Sequence, residues 1–244
     1  MAESLKGQVA VVTGASSGIG RAIACALGAN GAQLCLVARR RALLESLAND
    51  VAGVSPRSYV CCTDLTREDE IHNLSDNVHR EFGSVDILVL CGGLMFHGRT
   101  EQASLDELDL QYRSNFRAPY ALAQTLLPSL RKSQGQIVFI NSSSGRRSAS
   151  AGVGQYSAFQ HGLRAVADSL RDEVNSEGVR VLSVYPGRTA TPRMEAFYKE
   201  RGLPYDPEVL MQPEDVAGMV IAALSLPRTA EVTDINMRPM RKTY

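Results

Sequence analysis

Apolar positions along this chain follow two alternating periods. Val9-Ala10-Val11-Val12 is a short, partly β-branched run ending in Thr-Gly, the pattern of a fully buried strand. Behind it Ile19, Ile23 and Leu27 recur at i, i+4 and i+8, which predicts an amphipathic helix over Gly18–Ala29, stopped by Asn30-Gly31. Gln33–Ala38 reads as a second strand. The same alternation places strands near Arg57–Cys62, Asp86–Leu90, Gly135–Asn141, Val179–Val184 and Val232–Asn236. Helices fall near Arg40–Val51, Arg67–Phe82, Leu105–Leu130, Gly154–Ser176 and Pro213–Ser225. Seven strands alternating with helices imply parallel βαβ units joined by right-handed crossovers. The expected architecture is one α/β domain over residues 1–244, a doubly wound seven-stranded parallel sheet with helices on both faces.

One stretch breaks the pattern. Gly187 to Gln212 is Pro-rich, mixed in charge and follows a strand end. Ligands of open parallel sheets bind outside the carboxyl ends of the strands. A long segment there, about residues 188–212, reads as a substrate lid, with a plain surface excursion as the alternative. Met194, Phe197 and Tyr198 stand at helical spacing in it, as lid core or as the lining of an apolar pocket.

Composition narrows the function classes. Lys plus Arg and Asp plus Glu number 26 each, so nothing points to a nucleic acid or an anionic membrane as partner. The five cysteines, Cys25, Cys35, Cys61, Cys62 and Cys91, lie in or beside apolar runs and read as reduced core thiols of a reducing, cytoplasmic setting. No Cys/His spacing suggests a metal site. The polar segment Met1–Gln8 and the lack of any apolar run of about 18 residues predict neither a secretory leader nor a membrane span. His72 and His79 are seven apart on a charged helix and read as a solvated face.

Thr13-Gly14-Ala15-Ser16-Ser17-Gly18-Ile19-Gly20 joins the first strand to its helix. Glycines there let the backbone turn sharply and let a pyrophosphate approach, while the helix N-terminus offers free N–H groups and a positive dipole end. The spacing is G-x-x-x-G-x-G, not the commoner G-x-G-x-x-G. About 20 positions on, dinucleotide folds place an acidic residue on the ribose 2′-OH. This chain instead has Arg39-Arg40-Arg41, with no carboxylate to repel a 2′-phosphate. NADP(H), held by Arg39 and Arg40, is the expected cofactor. One or two of the three arginines are expected to be solvated.

These residues resemble the short-chain dehydrogenase/reductase family over almost the whole chain. Thr13–Gly20 has that family's TGxxxGxG form; Asp64-Leu65 matches its adenine-contacting Asp; Asn115 lies in the long helix where a catalytic Asn is found. Ser142 and Tyr156 match its Ser and Tyr, and Pro186-Gly187-Arg188-Thr189-Ala190-Thr191 matches its PGxxxT nicotinamide segment. The resemblance implies a Rossmann-like fold. It implies a cofactor site of Gly14, Ser16, Ser17, Gly18, Ile19, Gly20, Arg39, Arg40, Asp64, Leu65, Gly92, Tyr156, Pro186, Gly187, Thr189 and Thr191. It also implies hydride transfer to or from a small carbonyl or alcohol substrate. Tyr156 would move the proton, Ser142 hold the substrate oxygen, and Asn115 support a water, in a homodimer or homotetramer paired through the long helices.

Two places depart from the family pattern. Gln160 stands where a lysine four residues after the tyrosine lowers its pKa and binds ribose. An amide can hydrogen-bond a ribose but carries no charge, and a phenol of pKa about 10 is a poor base at neutral pH. His161 is next to it, but i and i+1 do not share a helix face. Leu90-Cys91-Gly92-Gly93 replaces Asn-Asn-Ala-Gly, which loses side-chain hydrogen bonds and is expected to loosen the central sheet. Ser17 replaces a basic residue that some NADP-preferring members carry. The serine has two alignments: Ser143 lies 13 before Tyr156, the commonest family spacing, whereas Ser142 matches Ser-x-x-Gly145 if the stretch Arg146–Gln155 is longer by one residue than in the family. Arg146 and Arg147 are loop arginines, solvated or near an anionic substrate.

Three readings follow: an NADP(H)-dependent oxidoreductase of a carbonyl/alcohol pair; a catalytically impaired NADP(H)-binding sensor or scaffold; and an enzyme of altered chemistry in which Tyr156 acts only as an acid.

Overall fold

The computed structural model describes residues 5–147 and 151–241. The strands are β1 (Val9–Thr13), β2 (Gln33–Ala38), β3 (Ser58–Cys62), β4 (Ile87–Leu90), β5 (Gln136–Ile140), β6 (Arg180–Pro186) and β7 (Asp234–Met237). They form one parallel sheet in the order β3-β2-β1-β4-β5-β6-β7. The helices are α1 (Gly18–Ala29), α2 (Arg41–Val51), α3 (Glu68–Phe82), α4 (Leu105–Tyr112), α5 (Ala118–Ser133), α6 (Gly154–Val174), α7 (Pro192–Glu200) and α8 (Pro213–Leu224).

Alternation along each strand sorts the core into two layers. Ala10 and Val12 face one cluster with Leu27, Leu47 and Val216; Val11 faces the other with Leu74, Leu126 and Leu163. Both faces of β1 are covered, which is why its sequence is continuously apolar. Strand order reverses direction at the neighbours β1 and β4, the switch point where doubly wound sheets open a crevice.

All seven predicted strands form, with ends shifted by at most two residues and β2 as expected at both ends. Two helical expectations change. The helix expected over Leu105–Leu130 is interrupted by a π-helical turn at Arg113–Arg117 and runs on to Ser133. The segment expected to be irregular contains α7, which starts because the Thr191 side chain accepts from Met194 N–H and Pro192 takes the first helical turn. The thiols are free; Cys35 and Cys61 are core residues, but Cys62 is exposed on the other face of β3. Residues 148–150, on which the length of the Arg146–Gln155 stretch turns, and residues 1–4 of the polar N-terminal segment lie outside the described residues.

Candidate active site

The loop between β1 and α1 is set by its glycines. Gly14 and Gly18 have φ of +68° and +55°, where a side chain is strained. A Cβ on Gly14 would lie 3.0 Å from the Cys91 carbonyl, and one on Gly20 would run into the Gly14 oxygen. Ser17, the N-cap of α1, makes no side-chain cap, so the first amides of the helix stay open to the loop. Arg40 closes its outer side: the guanidinium donates to Ser16 Oγ at 3.1 Å and Ser17 Oγ at 3.2 Å. Ser17 thus meets a basic group from α2's N-cap instead of being one. Arg39 is exposed with no hydrogen bond among the described residues, and Arg41 turns away to Glu45 at 3.6 Å.

Asp64 turns one carboxylate oxygen back on its own loop, accepting from Thr66 N–H at 2.9 Å and Thr66 Oγ at 2.8 Å. Leu65 lies against the exit of β4: a Cβ on Gly92 would come 2.6 Å from its Cδ1. The loosening expected of Leu90-Cys91 does not show in the pairing. Thr13 Oγ accepts from Cys91 N–H at 2.9 Å and Gly92 N–H at 3.1 Å, and donates to the Val89 oxygen at 3.2 Å. Burial pushes the Cys91 thiol up to about 12.

Asn115 sits in the π-turn, a feature common at functional sites. Its Oδ1 accepts from Leu94 N–H and Ser114 Oγ, and its Nδ2 donates to the Leu94 oxygen, each at 2.7 Å. The side chain is therefore engaged with the loop after β4. Gln111 extends the clamp: its Oε1 accepts from Phe96 N–H, and its Nε2 donates to Gln155, both at 3.2 Å. Sequence reading singled out neither Gln111 nor the π-turn; buried polar positions in a helix are a signal only once burial is known.

At the exit of β5, Asn141 Nδ2 donates to the Gln160 backbone oxygen at 3.0 Å, joining that strand to α6. This second residue was also unread in the sequence. Ser142 follows, half-buried, its Oγ accepting from Ser144 N–H at 3.1 Å, while Ser143 is exposed. Tyr156 and Gln160 are one turn apart on α6 and both 6% exposed. The Tyr156 hydroxyl makes no hydrogen bond among the described residues. Gln160 Oε1 is fully enclosed, also without a partner there. His161 is exposed, its Nδ1 2.8 Å from the Ser157 oxygen of its own helix, away from that face. Arg146 and Arg147 are exposed; Arg146 lies 3.7 Å from Asp234.

The segment after β6 straps across this cleft. Pro186 ends the strand, Gly187 N–H donates to the Met237 oxygen at 2.9 Å, and Thr189 Oγ donates to the Gly187 oxygen at 3.1 Å. Thr191 reaches the glycine loop: a Cβ on Gly18 would lie 3.0 Å from its methyl group. Arg193 of α7 donates to the Gly93 oxygen, tying the helix to the far wall. Tyr198 is buried and accepts from Arg188 at 3.1 Å, whereas Phe197 faces the cleft loop, its ring 4.5 Å from that of His97. Burial, then the charge of Arg201, hold His97 below its ordinary value.

The chain matches the family described as short chain dehydrogenase over residues 8–202. It is 38% identical over 242 residues to glycine betaine reductase ATRR of Emericella nidulans, covering 96% of this chain but only 19% of that longer protein. It is 33% identical over 237 residues to an uncharacterized oxidoreductase of Staphylococcus aureus strain USA300, covering 97% of this chain and 99% of the relative. Among solved structures, an alcohol dehydrogenase of the archaeon Thermococcus sibiricus, complexed with 5-hydroxy-NADP, is similar at a TM-score of 0.86 and 29% identity, over 98% of this chain and 100% of that one.

Proposed function

We propose that this chain, which belongs to the short chain dehydrogenase family, is an NADP(H)-dependent oxidoreductase working chiefly as a carbonyl reductase. The observation that supports it most is the pair on α6: among the described residues, neither the Tyr156 hydroxyl nor the enclosed Gln160 oxygen beside it has a hydrogen-bond partner. Buried polar atoms are ordinarily paired, so an orphan in a cleft suits a ligand.

The residues present fit the cofactor. Gly14 and Gly20 leave no room for a side chain, no side chain caps α1, and Arg40 over Ser16 and Ser17 offers a 2′-phosphate a planar cation. Gly14, Ser16, Ser17, Gly18, Ile19, Gly20 and Arg40 would hold the phosphates. Asp64, Leu65 and Gly92 would flank the adenine side, and Pro186, Gly187, Thr189 and Thr191 the nicotinamide side. Gln160 would meet the ribose. Bound there, the nicotinamide supplies the hydride.

The chain's own groups supply the rest. Ser142, half-buried where Ser143 is not, holds the substrate oxygen. Tyr156 donates its hydroxyl proton to that oxygen as it gains charge. Asn115 fixes the wall at Leu94. Donation needs the phenol, which is the form present without help; abstraction from an alcohol needs phenolate, which a neighbouring cation stabilises. Position 160 offers an amide, so reduction is the favoured direction. The relative named a reductase agrees with that direction.

Gln160 also motivates a second reading, an NADP(H)-binding protein without turnover. NADPH oxidation over a panel of aldehydes and ketones separates the two. Turnover lost in Tyr156→Phe supports the enzyme; tight NADPH binding with turnover only in Gln160→Lys supports the binding protein. We also propose a homo-oligomer paired through α4, α5 and α6, since Tyr112 and Tyr120 on that face are 42% and 49% exposed. No helix among the described residues is long and apolar enough to cross a membrane.

A further inference from the structure

We propose that His97 and Arg201 form a subsite for a carboxylate on the substrate, so that the preferred substrates are oxo acids rather than neutral ketones or aldehydes. The inference rests on the oxidoreductase reading and names its substrate class.

Three chain segments meet at this point. Gly98 N–H donates to the Gly152 oxygen at 3.0 Å, bringing the loop after β4 onto the approach to α6. A Cβ on Gly152 would lie 3.6 Å from an Arg201 nitrogen, so the C-terminal end of α7 arrives at the same place. Gly152 is four residues before Tyr156, which puts the junction beside the reacting hydroxyl's helix turn. Phe197 is the shared platform, with the His97 ring at 4.5 Å and the Arg201 guanidinium carbon at 5.0 Å from its centroid.

Among the described residues, neither polar group there has a hydrogen-bond or ion-pair partner. His97 Nδ1 is enclosed and without a hydrogen bond among the described residues. Arg201 makes no ion pair among them and is held by cation–π contact alone. Glu200 is the acidic residue whose charge reaches His97, and it is an exposed neighbour of Arg201 that forms no bond to the imidazole. The exposed Arg201 guanidinium and the His97 ring, both packed on Phe197, offer a planar fork and a ring N–H that suit a carboxylate, which accepts at two oxygens. The aromatic platform strengthens that pairing by keeping water away from one side.

The test compares matched aldehydes with NADPH: 4-carboxybenzaldehyde against methyl 4-formylbenzoate, and succinate semialdehyde against butanal. The native protein is expected to favour each acid in kcat/KM. Arg201→Gln and His97→Asn are each expected to lower the acid-to-neutral ratio about tenfold or more, chiefly through KM for the acid. No preference for the acids, or a preference that both variants keep, overturns the subsite. A second readout separates this failure from that of the oxidoreductase reading. The His97 imidazole resonance, assigned with His97→Asn, is followed by NMR as 4-carboxybenzaldehyde or the methyl ester is added. No turnover of any aldehyde but a shift with the acid alone keeps the subsite and sinks the reductase; no turnover and no shift, or equal shifts, overturn the subsite.

Discussion

The guanidinium of Arg40 lies across the glycine loop, 3.2 Å from Ser17 Oγ, whereas its neighbour Arg39 points into solvent. The two are consecutive, yet Arg40 is the N-cap of α2, and its extended backbone turns the side chain back over the loop. A 2′-phosphate at this edge would replace the serine hydroxyls as its partner.

Arg40→Ala is therefore expected to weaken NADPH binding about tenfold to a hundredfold, the worth of a charge-assisted hydrogen bond, and NADH binding hardly at all. Arg39→Ala is expected to have the smaller effect. Fluorescence titration with both cofactors measures this, and equal losses for NADPH and NADH would refute the assignment.

The Arg40 result shows where sequence reading stopped. Periodicity located β1, β2 and α1 because burial on one or both faces leaves its period in the apolar residues. It did not separate Arg39 from Arg40, since a strand-to-helix junction has no period. The π-turn at Asn115 was hidden because the helical pattern continues on both sides of one extra residue. For α7 the signal was present: Thr191-Pro192 is an N-cap followed by a first-turn proline, masked by the prolines around it. Gln111 and Asn141 act through side-chain bonds across 15 to 44 and 19 positions, and no local pattern reports those.

The place of Gln160 leads to a prediction about direction. Gln160→Lys puts an ammonium one helical turn from Tyr156 and so favours phenolate. Alcohol oxidation by the variant at neutral pH is expected to rise about tenfold or more over the native protein, with a smaller effect on carbonyl reduction. The pH profiles of both directions are the measurement. An oxidation rate that does not move with this substitution argues against Tyr156 as the proton-transfer group.

Asn115 is expected to matter for folding as well as for the site. Asn115→Ala strips the half-buried Leu94 of partners for both its N–H and its C=O. An unsatisfied buried polar group costs about 1–3 kcal/mol, and water reaches a half-buried one in part, so a loss of about 1–3 kcal/mol is expected in chemical denaturation. A change below about 0.5 kcal/mol, the size typical of surface positions, would mean that the Leu94 clamp is not formed in solution.

Thiol chemistry tests the packing of the sheet independently of any ligand. Cys35 and Cys61 lie on neighbouring strands in the same core layer. The Cys35 S–H donates toward Cys61, which draws the Cys61 thiol down to about 6 and pushes Cys35 well up. A thiolate is the reactive form, yet Cys61 is only 4% exposed, so access and not ionisation limits it. Burial raises Cys25 and Cys91 in turn. Cys62, next to Cys61 but on the opposite face of β3, is the exposed member. A disulfide-exchange reagent such as dithionitrobenzoate is expected to label one thiol per chain promptly at neutral pH and the rest only on unfolding. Cys62→Ser is expected to remove the prompt phase. If that phase survives the substitution, or if more than one thiol reacts at once, the β2–β3 edge opens more readily than this packing allows.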